Sequence, residues 1–185
     1  SCDEAKYVRL GQDLLGSHEF DGFGQSVDLS ANGKSLAVGA NQPPPGKSGY
    51  IDIYELQDDS SWKSNHRIKD FNAEAVSDIG RTVKISDDGD TLMILGSSVN
   101  EDSEWGYDSS FLRVMRRNKH GKWNQLGDDI LGSVDYDDHG ISCHATMSGG
   151  GHSIVVTGSY GDFFAKVYEY EEATSSWIET VTPTT

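Results

Sequence analysis

The sequence contains little cysteine, with only Cys2 and Cys143 among its 185 residues. One bridge cannot replace a hydrophobic core, so a small disulfide scaffold is excluded. Neither cysteine belongs to a C-x-x-C pair, so no thiol redox motif is indicated. Two states remain open: a disulfide between Cys2 and Cys143, which would pin the N-terminus to the third repeat described below, or two free thiols.

Long apolar runs are also missing. No stretch approaches the roughly eighteen consecutive apolar residues of a membrane-spanning helix, so no membrane insertion is predicted. The chain opens at Ser1 without a charged-then-apolar leader, which fits a processed mature protein or a piece of a longer one. No N-x-S/T sequon occurs, so surface N-glycans are not expected.

Basic residues are few beside the acidic ones. Lys and Arg number 15 against 30 Asp and Glu, which gives a net charge of −15. Such a surface repels nucleic acid and anionic membranes, and it favours cations or basic partners. Simple solubility is the plainer interpretation of the same charge. Nucleic acid is therefore not expected as a partner, whereas a basic protein remains a candidate.

An internal repeat is the main feature that the sequence does contain. Residues 7–17, YVRLGQDLLGS, match residues 123–133, WNQLGDDILGS, without a gap, and Trp62 and Trp177 open equivalent segments. The aromatic leads at positions 7, 62, 123 and 177 give a period of 55, 61 and 54 residues. Three further blocks recur within each period: GQSVDLSANG, GRTVKISDDG and GISCHATMSG; SLAVGA, TLMILGS and SIVVTGS; YIDIYEL, FLRVMRR and AKVYEYE.

Each block is predicted to form a strand. Val27 and Leu29 alternate with polar residues at the period of two that a half-buried strand requires. Residues 92–95 form a continuous apolar run, which suits a strand covered on both faces. Asn32-Gly33 and Asp88-Gly89 supply the positive φ angles of tight hairpins between the first two strands of a unit.

Four-stranded units at this period are typical of propeller blades. We therefore predict an all-β fold, a β-propeller-like array of three four-stranded antiparallel blades plus one extra N-terminal strand. The extra strand covers residues 7–16, and the blades cover about residues 20–71, 76–131 and 136–181 of a single repeat domain. Glycines after each second strand are expected where neighbouring backbones approach closely: Gly39, Gly96 and Gly158. The lead tryptophans are predicted to pack against the adjoining blade: Trp62, Trp123 and Trp177.

The first repeat resembles a known family. Its segments DGFGQSVDLS, LAVGA and GYIDIYE are similar to an FG-GAP-type propeller repeat. The later repeats replace Phe23 with Ile79 and His139. The resemblance implies an extracellular or cell-surface module used in adhesion or as a scaffold.

Integrin-like members of that family bind calcium through a D-x-D-x-D-G loop between strands one and two, and calcium prefers several carboxylate ligands. The corresponding loops here read DLSANG, KISDDG and HATMSG. The first offers one carboxylate, the second places Lys84 at the first ligand position, and the third has no carboxylate. No metal site and no cofactor are therefore predicted.

Other constellations are also weak. Residues 135–139, DYDDH, form the densest acidic cluster, and a solvated acidic loop is preferred over a divalent cation site as its explanation. Cys143 and His144 are adjacent in a predicted strand and would point to opposite faces, so they cannot share a metal ion. No G-x-S-x-G elbow or phosphate-binding loop occurs. We expect no enzyme, and a hydrolase that uses loop carboxylates is a remote alternative.

Two inserts between the second and third strands offer candidate contact residues. The first insert contains Pro43, Pro44 and Pro45, and the second contains Trp105 and Tyr107. Stiff proline runs and loop aromatics are typical of binding surfaces. Folding back onto the parent sheet is the other interpretation of these inserts.

The number of blades points to association. Propellers close with about four to eight blades, so three blades and an extra strand do not form a ring. The apolar Tyr7, Val8 and Leu10 are predicted to dock on another copy of the chain or on missing blades of the same protein. We expect a non-enzymatic extracellular structural protein that assembles head to tail, as a ring or filament, through this donated strand. The alternative is a binding module within a longer propeller, for adhesion or for recognition of a glycan or protein.

Overall fold

The computed structural model describes residues 7–41, 49–69, 76–98, 109–131, 144–158 and 164–180. These residues form thirteen β-strands without a helix, so the all-β prediction is confirmed. Accordingly, this part of the chain contains no helix that is long and apolar enough to span a membrane.

The strands form three antiparallel sheets, here called blade 1, blade 2 and blade 3. Blade 1 contains β1 (Phe23–Leu29), β2 (Ser35–Ala40), β3 (Tyr50–Leu56) and β4 (Trp62–Ile68). Blade 2 contains β5 (Val76–Ile85), β6 (Thr91–Ser98), β7 (Ser109–Arg117), β8 (Trp123–Gln125) and the short β9 (Ile130–Leu131). Blade 3 contains β10 (His144–Met147), β11 (Ser153–Gly158), β12 (Phe164–Glu171) and β13 (Ser176–Thr180). In each blade four strands follow one another in chain order, as predicted. In blade 2 the short β9 also pairs with β7, which makes that sheet five-stranded.

Tight hairpins join the first two strands of each blade. Polar side chains stabilise these turns by hydrogen bonds within the turn. Ser30 Oγ donates to Asn32 Oδ1 (2.9 Å) and accepts from the Ser35 N–H (2.9 Å). In blade 2, Ser86 Oγ donates to Asp88 Oδ1 in the same way (2.5 Å). Gly33 has a φ of +69°, the left-handed conformation that the Asn-Gly pair predicts.

Two apolar layers lie between the blades. The layer between blades 1 and 2 consists of Ala37, Ile51, Ile53, Ile68, Ile79, Val83, Ile85, Leu92, Ile94, Phe111, Met115 and Trp123. The layer between blades 2 and 3 includes Met93, Leu95, Leu112, Val114, Leu126, Ile154, Val156 and Trp177. Along β6, alternate residues enter opposite layers because successive side chains point to opposite faces. The continuous apolar run at 92–95 is explained by this burial on both faces.

The backbones of blades 1 and 2 meet at Gly39. A Cβ added there would overlap the carbonyl oxygen of Gly80, so the expected close approach is confirmed at this position. At Gly96 the nearest atoms belong instead to the Phe111 ring, 2.9 Å from an added Cβ. The surroundings of Gly158 lie outside the described part of the chain.

Residues 7–22 contain no strand, whereas the sequence predicts an extra strand over residues 7–16. A strand requires a partner edge to satisfy its backbone hydrogen bonds. Blade 1 supplies this segment with side-chain contacts, described below, rather than with a backbone ladder. The segment therefore lies beside blade 1 without becoming part of its sheet.

Candidate interaction surface

The N-terminal segment, residues 7–16, lies beside the outer strand of blade 1. The Gln12 side chain accepts from the Trp62 N–H (2.9 Å) and donates to the Trp62 carbonyl (2.5 Å). Gly11 packs against the same indole, and a Cβ added at Gly11 would lie 2.6 Å from Trp62 Cδ1. Gln12 and Gly11 of the N-terminal segment therefore both contact Trp62.

Blades 2 and 3 meet through the same packing of a glycine on an indole ring. Trp177 of blade 3 donates from Nε1 to the Leu126 carbonyl of blade 2 (2.8 Å), and a Cβ added at Gly127 would lie 2.9 Å from Trp177 Cδ1. Leu126-Gly127 follows directly after the outer strand β8, and in the sequence repeat it aligns with Leu10-Gly11. The N-terminal segment therefore takes the place of the outer strand of a blade that would precede blade 1.

The side chains of this segment differ from their blade 2 counterparts in burial. Leu10 is 51% exposed whereas the aligned Leu126 is 9% exposed, and Tyr7 is 97% exposed. Asp129 in blade 2 forms a two-bond ion pair with Arg113 of β7 (2.7 and 2.6 Å). The aligned Asp13 instead pairs with the exposed Arg9 of its own segment. The predicted assembly residues Tyr7, Val8 and Leu10 are accordingly exposed apolar side chains.

A buried polar cluster fastens the segment to blade 1. The Asp21 carboxylate accepts from Tyr50 Oη (2.5 Å) and from the backbone N–H groups of Ser17, His18 and Phe23 (2.9–3.1 Å). Burial alone would raise the pKa of Asp21, but the hydrogen bonds from Tyr50 and these amides outweigh burial and lower it. Asp21 is therefore an ionised anchor that fixes residues 17–23.

Arg67 extends the cluster towards β3. Its guanidinium donates two bonds to Asp52 (2.6 Å each) and one to Ser17 Oγ (2.7 Å), and it lies 4.0 Å from the Tyr50 ring centroid. Burial and the nearby Asp52 charge raise the pKa of Tyr54 to about 12. Every polar group of the cluster is thus engaged by another, which suits an anchor more than a reactive site.

Replacing Asp21 with Asn is expected to lower the free energy of unfolding by about 2 kcal/mol, because an amide NH₂ would face donors that now meet a carboxylate. The folded-state pKa of Asp21 lies below its unfolded value. The stabilisation is therefore present above about pH 4 and is lost as pH falls through the folded pKa. Urea unfolding at pH 7 and across pH 5 to 2 measures both effects. Asp13→Asn, at an exposed carboxylate, is the control, and an equal loss in both variants would contradict the anchor.

The face of blade 1 that points away from blade 2, here called the leading face, is exposed along β1, whereas Val38 and Asp52 on the same face are buried. Val27 on this face is 57% exposed, whereas Val83, at the same repeat position in blade 2, is 1% exposed because it packs against blade 1. Leu29 and Ile85 show the same contrast. Blade 1 therefore exposes side chains that blade 2 buries against its neighbour.

The lead tryptophans serve as packing residues where they are described. Trp123 is buried in the layer between blades 1 and 2, and Trp177 packs on Tyr170 and Leu126. The remaining predicted site residues lie outside the described part of the chain: Cys2, Cys143, Pro43, Pro44, Pro45, Trp105, Tyr107 and residues 135–139. The disulfide and the loop contacts therefore stay predictions.

Sequence reasoning missed the polar cluster around Asp21. Asp21, Tyr50 and Asp52 belong to the FG-GAP-like segments of the first repeat, which was the available signal. The contacts that join the N-terminal part to blade 1 link distant positions: Tyr50 and Asp21 are 29 residues apart, and Arg67 and Ser17 are 50 residues apart. Such pairing depends on the docking of the N-terminal segment, which the strand pattern does not encode.

Chelators are expected to leave the melting temperature within about 5 °C of its value in calcium, a change on the scale of ~1 kcal/mol. The hairpin turns use their oxygens internally, as Ser86 and Asp88 show, and the described residues contain no cluster of three or more His, Cys, Asp or Glu side chains arranged to hold a metal. Differential scanning calorimetry with EDTA and with millimolar calcium measures this. A larger drop with EDTA would mean that a structural cation had been missed.

Comparison with known proteins supports the fold alone. No family model and no curated protein matches the chain. Among solved structures, Sqt1 from Saccharomyces cerevisiae is similar at a TM-score of 0.55 and 8% identity over 87% of this chain. The match takes in 35% of Sqt1, so this chain spans about a third of that protein's length. A structure from a study of two prolyl endopeptidases matches at a TM-score of 0.45 and 14% identity, over 84% of this chain and 21% of that one. The fold of this chain is propeller-like.

Proposed function

We propose that this chain is a non-enzymatic, extracellular structural protein whose blades associate head to tail through the N-terminal segment. The observation that carries the proposal is the position of this segment. It takes the place of an outer strand while its apolar side chains Tyr7, Val8 and Leu10 face solvent. A segment whose apolar side chains are exposed and whose backbone belongs to no sheet is suited to pair with a sheet edge elsewhere.

A matching edge exists on blade 3. Among the described strands, β13 pairs with β12 alone, so its outer edge has no strand partner there. Pairing of residues 7–10 with that edge in a second copy would satisfy backbone groups on both sides. The two surfaces lie on different parts of the chain, so the contact is heterologous and continues into a ring or filament.

The extracellular location rests on the acidic composition and on the FG-GAP-type resemblance of the first repeat. The absence of enzymatic activity is proposed because the polar groups of the cluster around Asp21 form hydrogen bonds and ion pairs with one another. The net charge of −15 favours basic partners, and glycan or basic protein remain candidate ligands of the assembled form.

The same exposed surfaces also suit a binding module within a longer FG-GAP-type propeller, in which further blades of one chain cover them. The mass of the native, undigested protein distinguishes the two functions. A chain of 20.2 kDa found in oligomers supports assembly, whereas a much larger single chain supports the longer propeller.

Substituting Ser for Tyr7, Val8 and Leu10 together is expected to abolish assembly, because it removes apolar area while keeping the Gln12 and Asp21 anchors. Sedimentation velocity and electron microscopy compare this variant with the intact chain. Arg9→Ala, within the same segment, is the control and should still assemble. A monomeric intact chain, or a triple variant that assembles equally well, would contradict the proposal.

A further inference from the structure

The leading face of blade 1 has the same backbone conformation as the strands that form the interfaces between blades. Gly80 at the start of blade 2 has a φ of +84°, and a Cβ added there would lie 3.0 Å from both Ala40 N and the Tyr50 carbonyl of blade 1. Gly24, its counterpart in blade 1, has a φ of +87° with no atom within 4 Å of the same position. Gly24 thus has the backbone conformation that Gly80 uses to contact the preceding blade, but no neighbouring atom packs against it.

The hairpin turns show the same pattern. The turn glycine of blade 3 is Gly151 rather than the Gly149 of the sequence alignment, because its N–H bonds to Ser148 as those of Gly33 and Gly89 bond to Ser30 and Ser86. A Cβ added at Gly89 would lie 2.6 Å from Ser35 Oγ of blade 1, and one added at Gly151 would lie 2.8 Å from Thr91 Cβ of blade 2. Gly33, the equivalent glycine of blade 1, has only Leu29 of its own blade nearby, at 4.0 Å. Each turn glycine therefore packs on the preceding blade, except where no blade precedes it among the described residues.

Hydrogen bonds between successive turns have a fixed direction. The Ala31 N–H donates to the Asp87 carbonyl (3.1 Å), and the Asp87 N–H donates to the Gly149 carbonyl (2.7 Å). This series leaves the Ala31 carbonyl at the leading end and the Gly149 N–H at the trailing end without a turn partner among the described residues. The two ends are complementary: one offers the acceptor and the other offers the donor that the internal contacts use.

We propose that the leading face of blade 1 binds the trailing face of blade 3 from a second copy of this chain. The trailing face contains Val155 and Val167, which pair across β11 and β12 and are both half-buried. Their counterparts on blade 2, Met93 and Val114, are buried against blade 3. Val27 and Leu29 of one copy would therefore pack on Val155 and Val167 of the next.

This contact continues the two blade interfaces that already exist in the chain at the inner strands, with β1 of one copy against β11 and β12 of the next, and with the same hydrogen-bond direction between turns. It rests on the proposed function, because it supplies the second half of the head-to-tail association. It also adds something distinct: the N-terminal segment acts at the outer-strand position beside Trp62, whereas this contact covers Val27 and Leu29 on β1.

A mixing experiment with single-face variants tests this contact. Val27→Asp blocks the leading face, and Val155→Asp blocks the trailing face. Each variant alone should self-associate roughly 100-fold more weakly, because the interface would bury an unpaired carboxylate. An equimolar mixture should form a dimer of twice the 20.2 kDa chain mass, since one intact face remains on each partner. Leu131→Asp adds the same charge at an exposed residue of β9 and should assemble normally.

The outcomes separate this inference from the proposed function. If the intact chain assembles, the Tyr7/Val8/Leu10 variant does not, and Val27→Asp assembles normally, the leading-face contact is overturned while the donated segment stands. If Val155→Asp self-associates normally while Val27→Asp fails to, the contact is leading face to leading face and the inference is wrong. Circular dichroism confirms folding of each variant, and Val167→Asp replaces Val155→Asp if the latter does not fold. Native mass spectrometry and sedimentation velocity provide the masses.

Discussion

Gly39→Ala is expected to lower the free energy of unfolding by about 3 kcal/mol or more. The added methyl group would overlap the Gly80 carbonyl oxygen, a backbone atom of blade 2 that is held by β5. A flexible side chain can turn aside, but a backbone carbonyl can yield only if the two blades separate. Urea unfolding followed by circular dichroism measures the change.

Gly150→Ala is the matched control for this substitution. Its added Cβ would meet only the His152 ring nitrogen, at 3.3 Å, and Gly150 does not have a positive φ. We expect its effect to stay within about 0.5 kcal/mol. Gly49→Ala, which would overlap the Ile79 carbonyl, should resemble Gly39→Ala. Equal effects at Gly39 and Gly150 would mean that the close approach of the blades is not a constraint.

Val83→Asp is expected to unfold the domain or to cost more than about 4 kcal/mol, because a carboxylate would enter the apolar layer between blades 1 and 2 without a partner. The same substitution at Val27, the equivalent residue of blade 1, should cost about 1 kcal/mol or less, since its side chain is 57% exposed. Residue type, strand and repeat position are matched in this pair. The difference between the two losses of stability therefore measures the effect of burial against the neighbouring blade.

Thermal unfolding of both variants at low protein concentration, where assembly is absent, provides the test. A folded Val83→Asp domain with near-native stability would contradict the stacking of blades 1 and 2. A large loss for Val27→Asp under the same conditions would mean that the leading face is covered within the single chain.

Much of the fold was predictable because the same pattern of strands and turns occurs three times in the sequence. The alternation at Val27 and Leu29, the Asn-Gly and Asp-Gly turns, and the apolar run at 92–95 each specify local backbone geometry. The agreement of these local signals defines the strands and their order in each sheet. Short β9 was not predicted, since two residues after a Gly-Asp-Asp turn show no periodicity.

The N-terminal segment was recognised in sequence as a copy of residues 123–133, but its environment was not predictable. Its alignment with β8 and β9 indicates strand formation, yet strand formation depends on a partner edge rather than on the segment itself. The predicted site residues in the two inserts and both cysteines lie outside the described residues and stay predictions.

The sequence by itself determined the all-β class, the three units, their turns and the apolar character of residues 7–10, because these follow from local periodicity and from comparison between repeats. Only the tertiary structure decided which equivalent residues are buried. Val27 and Val83 have the same local pattern, and a neighbouring blade covers only Val83. Likewise, only the tertiary structure brought Asp21, Tyr50 and Arg67 together, since burial and long-range pairing depend on what packs against a strand rather than on the strand itself.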